Sequence, residues 1–171
     1  MTDRRIEPAT LGTSEKSRAV EDAILKSRGD ISPLYRILLN SPAVCAGWEQ
    51  LLTAIRQKTS LSPRLRELVI LRIAVLNRAE YEFTAHAPIA LKAGMTEAEL
   101  DALQMGDASL LTDIDRLVLD YTDAMTTDIQ VSDALFARVK THFDPEGLVD
   151  LTATIAAYNM VSRFLAALDV H

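Results

Sequence analysis

Four charged or ionisable side chains interrupt the most apolar part of this chain: Glu67, Arg72, Glu82 and His86. Burying such groups costs free energy unless they are paired or put to use. Glu82 and His86 are four residues apart, which places them on one face of a helix and within reach of each other. If the chain folds back near Asn77-Arg78, Glu67 lies roughly 15 Å up one helix and His86 roughly 12 Å up the returning one, at the helical rise of 1.5 Å per residue. Glu67 then faces His86. A carboxylate on either side of an imidazole fixes its tautomer, raises its pKa and lets it pass a proton to or from a bound molecule. That is sufficient for proton-transfer chemistry without a cofactor. The same residues also satisfy a plainer reading, a core histidine held by one glutamate, and spacing alone leaves open which glutamate is its partner.

Nearby residues fill supporting roles. Pro88 removes an amide donor and frees the carbonyl of Thr84, which predicts a kink just after His86 and room for a pocket. Arg72 suits either neutralising a buried glutamate or binding a carboxylate. Tyr81 has the bulk of a packing residue and is retained as a candidate substrate contact. His142 and His171 form no ligand spacing with His86, so no metal is expected. Asn159 and Arg163, four apart near the end of the chain, read as a surface or interface pair. Cys45, the single cysteine, excludes an intrachain disulfide and a CxxC redox or zinc pair, and points to a reducing, cytoplasmic setting.

The elements that must position these groups are helices. Six glycines and six prolines are too few for the turns of a many-stranded sandwich, and alanine and leucine outweigh β-branched residues, so an all-α fold is expected. Ser32-Pro33, Ser41-Pro42, Ser62-Pro63 and Asp144-Pro145 each read as an N-cap followed by proline in the first turn. Thr96 through Glu99 is a capping box, and Thr112 with Asp115 a weaker one. The predicted helices span 33–40, 42–57, 63–77, 79–93, 97–104, 113–127, 133–142 and 145–168. Residues 1–30 read as a partly ordered arm and 31–171 as one helical domain.

The helices at 63–77 and 145–168 are apolar nearly all round, and one domain of 171 residues has difficulty covering both, which predicts a homo-oligomer. A net charge of −6 argues against a nucleic-acid partner. The apolar run from Leu68 to Leu76, which reads as the longest, is interrupted by Arg72 and far short of the roughly 20 residues of a membrane span, so no membrane association is expected.

The stretch Leu61-Ser62-Pro63-Arg64-Leu65-Arg66-Glu67, continuing through Asn77-Arg78-Ala79-Glu80-Tyr81-Glu82-Phe83-Thr84-Ala85-His86-Ala87-Pro88, resembles the carboxymuconolactone decarboxylase family of the alkylhydroperoxidase D-like superfamily. The closing Ala157-Tyr158-Asn159-Met160-Val161-Ser162-Arg163-Phe164 belongs to the same resemblance. It implies an all-helical bundle assembling as a homotrimer or homohexamer. The peroxidase branch carries glutamate, eleven residues, cysteine, two residues, cysteine, three residues, histidine. Glu67 and His86 match, but Ala79 and Glu82 occupy the cysteine positions. With neither nucleophilic nor resolving thiol, a thiol peroxidase is not expected. The resemblance then implies the decarboxylase branch, a cofactor-free lyase acting on a small carboxylated lactone or oxo acid. His86 would deliver the proton, Glu82 or Glu67 would tune it, and Arg72 or Arg78 would hold an anionic group. A non-catalytic oligomeric binding module on the same scaffold is the alternative.

Overall fold

The computed structural model describes residues 5–170, and these contain helices and no strand. In order they are α1 (Glu15–Arg28), α2 (Pro33–Leu38), α3 (Pro42–Gln57), α4 (Pro63–Leu76), α5 (Glu80–Lys92), α6 (Glu97–Gln104) and α7 (Asp113–Asp123). A π-helical segment, Ala124–Asp128, continues α7, and α8 (Asp133–Lys140) and α9 (Pro145–Leu168) complete the order. The all-α expectation holds, and most helix starts fall where the punctuation put them. His171 lies outside the described residues.

The caps show why. Ser62 accepts from the Leu65 amide and Ser132 from the Leu135 amide, while Asp144 accepts from the Gly147 amide at 2.8 Å. Thr96 and Thr112 both form complete capping boxes, so the second is as well built as the first. Ser32 and Ser41 make no side-chain cap bond, leaving the following proline as the local start signal.

The described residues divide into two compact units, one comprising residues 5–58 with 165–170 and the other residues 59–164. In the first, within the stretch read as a partly ordered arm, residues 15–28 form the regular helix α1, packed on α3 of the same chain. Its buried face consists of Ser17, Glu21 and Ile24, so it lacks the apolar stripe by which an amphipathic helix is recognised. Polar bonds dock it instead. Arg28 Nε lies 2.6 Å from Glu49 Oε2, and the Ser27 hydroxyl donates to the other oxygen of that carboxylate. Burial alone would raise the Glu49 pKa, but hydrogen bonds led by those of Ser27 and Thr53 outweigh it and hold the carboxyl below its usual range.

In the second unit α4 is the central helix, packed against α5, α6, α7 and the π-helical segment. Leu68, Val69, Ile70 and Leu71 are all fully buried, which accounts for its apolar character all the way round. Leu68 and Leu71 join Ala90, Met95, Leu100, Leu103, Leu111 and Leu119 in one core cluster. The other all-apolar helix, α9, buries Leu151, Ile155, Tyr158 and Val161, yet leaves Val149 66% and Met160 37% exposed. By length and composition α9, rather than the run from Leu68 to Leu76, could cross a membrane; a core helix passes the same test.

Candidate active site

The site is built by the turn between α4 and α5. Arg78 adopts the left-handed conformation with φ 55°. The Ala79 amide donates to the Ala74 carbonyl at 2.8 Å and the Arg78 amide to that of Val75 at 3.2 Å, closing the end of α4 with the bond pattern that glycine commonly serves. Asn77 fixes this turn to α9, its amide donating to Asn159 Oδ1 at 3.0 Å and to the Ser162 hydroxyl at 2.7 Å. Asn159 in turn donates to the Thr126 hydroxyl at 2.9 Å, tying the π-helical segment to the same point. Asn159 is therefore an internal lock, and it also forms the expected surface pair with Arg163, whose exposed guanidinium donates to Asn159 Oδ1 and to its carbonyl.

Folded back this way, α5 presents His86 to Glu67. His86 Nδ1 lies 2.6 Å from Glu67 Oε2, and Nε2 lies 3.3 Å from Glu82 Oε1. Both carboxylates flank the imidazole, the nearer being Glu67. The Tyr158 ring meets the imidazole edge-on, with centroids 5.4 Å apart and planes at 90°. Arg66 completes the group, its Nε donating to Glu67 Oε1 at 3.3 Å. Two carboxylates, one guanidinium and a protonated imidazole sum to zero charge, which is how so many ionisable groups are accommodated together. Burial alone would lower the His86 pKa, but its hydrogen bonds to Glu67 and Glu82 prevail and hold it above the ordinary histidine value. The two carboxylates thus favour the charged form of the imidazole, with Nδ1 anchored at 2.6 Å and the 3.3 Å Nε2 contact the longer of the two.

Of the three residues assigned to substrate binding, Arg72 is engaged elsewhere. Arg72 forms a two-pronged pair with Asp123, at 2.6 and 2.5 Å, so its guanidinium is occupied and its partner is neither Glu67 nor Glu82. A five-residue step turns a helix by about 140°, which points Arg72 well away from the Glu67 face. Arg78 is exposed and serves as the stop of α4. Tyr81 is half-buried in the first turn of α5. Pro88 does not end α5, which runs unbroken to Lys92; both Pro88 and Thr84 are exposed, so water can serve the carbonyl freed by the proline.

Sequence reasoning missed Arg66 and Tyr158. Arg66 adjoins Glu67, but consecutive helical residues do not normally face each other, so adjacency gave no warning. Tyr158 stands in the closing Ala157-to-Phe164 motif and could have been found there.

His86 is 6% exposed, Glu82 5% and Glu67 fully buried, so the cluster is nearly closed within a single chain. Two cavities of the same unit, of about 430 and 220 Å³, are lined by other residues, the smaller by Arg72, Arg116 and Asp123 among others. Among the described residues no group of three or more His, Cys, Asp or Glu could hold a metal ion. Cys45 is buried in α3, and burial together with the nearby Glu49 charge pushes its thiol up to about 11. It is therefore a protonated, poorly nucleophilic thiol at neutral pH.

Helical hairpin, central α4 and carboxylate-flanked histidine together define an all-helical protein of alkylhydroperoxidase D-like architecture. The profile of the carboxymuconolactone decarboxylase family matches residues 42–113, so this part of the chain is similar to that family. Uncharacterized protein YnjA of Escherichia coli (strain K12) is 34% identical over 118 residues, covering 67% of this chain and 64% of that relative, a little under two thirds of its length. Among solved structures, an uncharacterized peroxidase-related protein from Silicibacter sp. TM1040 superposes with a TM-score of 0.84 at 15% identity, covering 100% of this chain and 92% of that one. The debrominase Bmp8, in complex with 2,3,4-tribromopyrrole, gives 0.78 at 15% identity over 96% and 89% of the two chains. At such identities these two structures speak for the fold alone.

Proposed function

We propose that this chain is a cytoplasmic, self-associating lyase that removes carbon dioxide from a small carboxylated lactone or oxo acid without a cofactor, using His86 as the proton donor. The observation that carries this reading is the imidazole held between two carboxylates, 2.6 Å from Glu67 and 3.3 Å from Glu82. The bond to the departing carboxylate breaks, carbon dioxide leaves, and its electron pair passes into the conjugated carbonyl as a dienolate. His86 then gives its proton to carbon and is reprotonated from water, so one carboxylate and one proton become one C–H bond and carbon dioxide. Glu67 holds the ring through Nδ1, and Glu82 keeps Nε2 charged until substrate displaces it. The small ring bound by the debrominase on this fold supports a cyclic substrate. The missing cysteine pair and the high pKa of Cys45 speak against a peroxide-consuming thiol mechanism.

Assembly as a homotrimer or homohexamer belongs to the same reading. It is supported by the exposed side of α9, where Val149, Ala156 and Met160 recur at helical spacing. A second reading, a non-catalytic binding scaffold, is favoured by the near closure of His86 at 6% exposure. His86→Gln separates the two. With carboxymuconolactone as substrate, its turnover should fall about 100-fold or more, the range expected for loss of a general acid. Unchanged turnover overturns the lyase mechanism, and a wild-type protein inactive on carboxylated lactones and oxo acids favours the scaffold.

A further inference from the structure

Three helices converge on the His86 ring, and each constrains it differently. Helix α4 supplies Glu67, 2.6 Å from Nδ1, and α5 supplies Glu82, 3.3 Å from Nε2. Glu67 is itself held by Arg66 Nε at 3.3 Å. Both contacts to the histidine run to ring nitrogens, so both act in the plane of the imidazole. They fix where the nitrogens lie and resist sliding within that plane, but they do little against tilting out of it. Helix α9 supplies that restraint. The Tyr158 ring, 2% exposed, stands at 90° to the imidazole with centroids 5.4 Å apart, an edge-to-face arrangement that aromatic rings prefer. The place of Tyr158 is set by the residues that follow it. Asn159 and Ser162 accept from the Asn77 side-chain amide at 3.0 and 2.7 Å, and Asn77 caps α4 where the chain turns into α5. The tyrosine is thus pinned, one residue away, to the hairpin that carries Glu67 and His86.

We propose that Tyr158 is a positioning residue of this site, its ring holding the imidazole plane so that Nε2 stays aimed when Glu82 is displaced. The inference rests on the lyase reading above, in which substrate takes the place of Glu82. At that moment the Glu67 bond is the remaining in-plane contact, and an imidazole held at Nδ1 alone can pivot there. Such a pivot carries Nε2 off the line to the carbon that receives the proton. Proton transfer needs the two heavy atoms aligned within hydrogen-bond reach, and a misplacement of about 1 Å costs on the order of 100-fold. Tyr158 passes no proton in this scheme and acts only through His86.

The test compares variants that keep the aromatic plane with variants that lose it, read by the His86 ring resonances and by turnover of carboxymuconolactone. In the wild type, NOEs should join the ring protons of His86 and Tyr158. Tyr158→Phe should preserve kcat and the midpoint of the His86 titration. Tyr158→Leu should lower kcat about tenfold or more with KM within about threefold, the signature of an interaction made in the transition state. It should also move the His86 midpoint down toward the ordinary histidine value, as the bonds to both carboxylates slacken. A packing role alone would lower the melting temperature and leave both readouts in place. If the leucine variant does not fold, Tyr158→Met, which fills the space without a flat ring, decides by the same readouts. A folded leucine or methionine variant with the wild-type His86 midpoint overturns the proposal, as does the absence of the ring-to-ring NOEs in the wild type. A phenylalanine variant as impaired as the leucine one overturns it too, because the hydroxyl and not the plane then matters. Should His86→Gln retain full turnover while Tyr158→Leu still moves the His86 midpoint, the lyase mechanism fails and the positioning of the imidazole stands. If His86→Gln loses turnover and Tyr158→Leu leaves kcat unchanged, the lyase mechanism stands and the positioning role fails.

Discussion

At the scale of single residues, the cluster around His86 is an electrostatic compromise with a pH signature. The imidazole pKa lies above its ordinary value in the folded chain because the bonds to Glu67 and Glu82 outweigh burial. A group whose pKa rises on folding contributes stability that is complete below its unfolded value of about 6.5 and is lost as pH climbs through the folded value. The urea midpoint of the wild type, minus that of His86→Gln, should therefore be largest near pH 6 and shrink steadily toward alkaline pH. A difference that stays flat or grows over that range would show that the imidazole is buried neutral. Arg66 enters at this scale too, because it supplies the second positive charge that lets two carboxylates share one enclosed site.

At the scale of elements, the decisive feature is the turn from α4 to α5. Arg78 holds φ 55° at the position where helices commonly end in glycine, and an ordinary side chain there is strained. Arg78→Gly should raise stability by about 0.5–1 kcal/mol, seen as a higher melting temperature with the His86 resonances unchanged. A lower melting temperature would mean that the arginine side chain makes a contribution larger than the backbone strain. The turn is held from α9 through Asn77, Asn159 and Ser162, and the same asparagine holds the π-helical segment through Thr126. An interior π-helical turn costs backbone geometry and commonly accompanies functional sites. Here it follows Asp123, the residue that occupies Arg72.

At the scale of the whole molecule, α9 joins a buried side to an exposed apolar one. Met160 and Val149 stand in water in the single chain, and covering them with another copy would remove apolar surface at a gain of about 25 cal/mol per Å². Met160→Glu should therefore reduce the mass measured by light scattering to that of a smaller species while the helical circular dichroism stays intact. An unchanged mass would place the self-association face elsewhere. The acidic net charge of −6 gives such an assembly solubility.

The division of labour between sequence and tertiary structure follows from how far each interaction reaches along the chain. Local chemistry settled the helices: serine or threonine caps, proline in the first turn and the apolar run of α4 act within a few residues, so α3 to α9 were legible from the letters. The pairing of Glu67, Glu82 and His86 was legible as well, because it needs only a four-residue step and one reversal of the chain. Helix α1 was not, since its buried face is polar and its docking depends on Glu49, 21 residues beyond Arg28. The partners of Arg72 and Asn159 lie 51 and 33 residues away, at Asp123 and Thr126, and no local periodicity encodes such distances. Sequence thus determined which groups carry the chemistry and which segments coil. Tertiary packing decided which charges were spent on one another, because ion pairing depends on proximity in space and is indifferent to order along the chain.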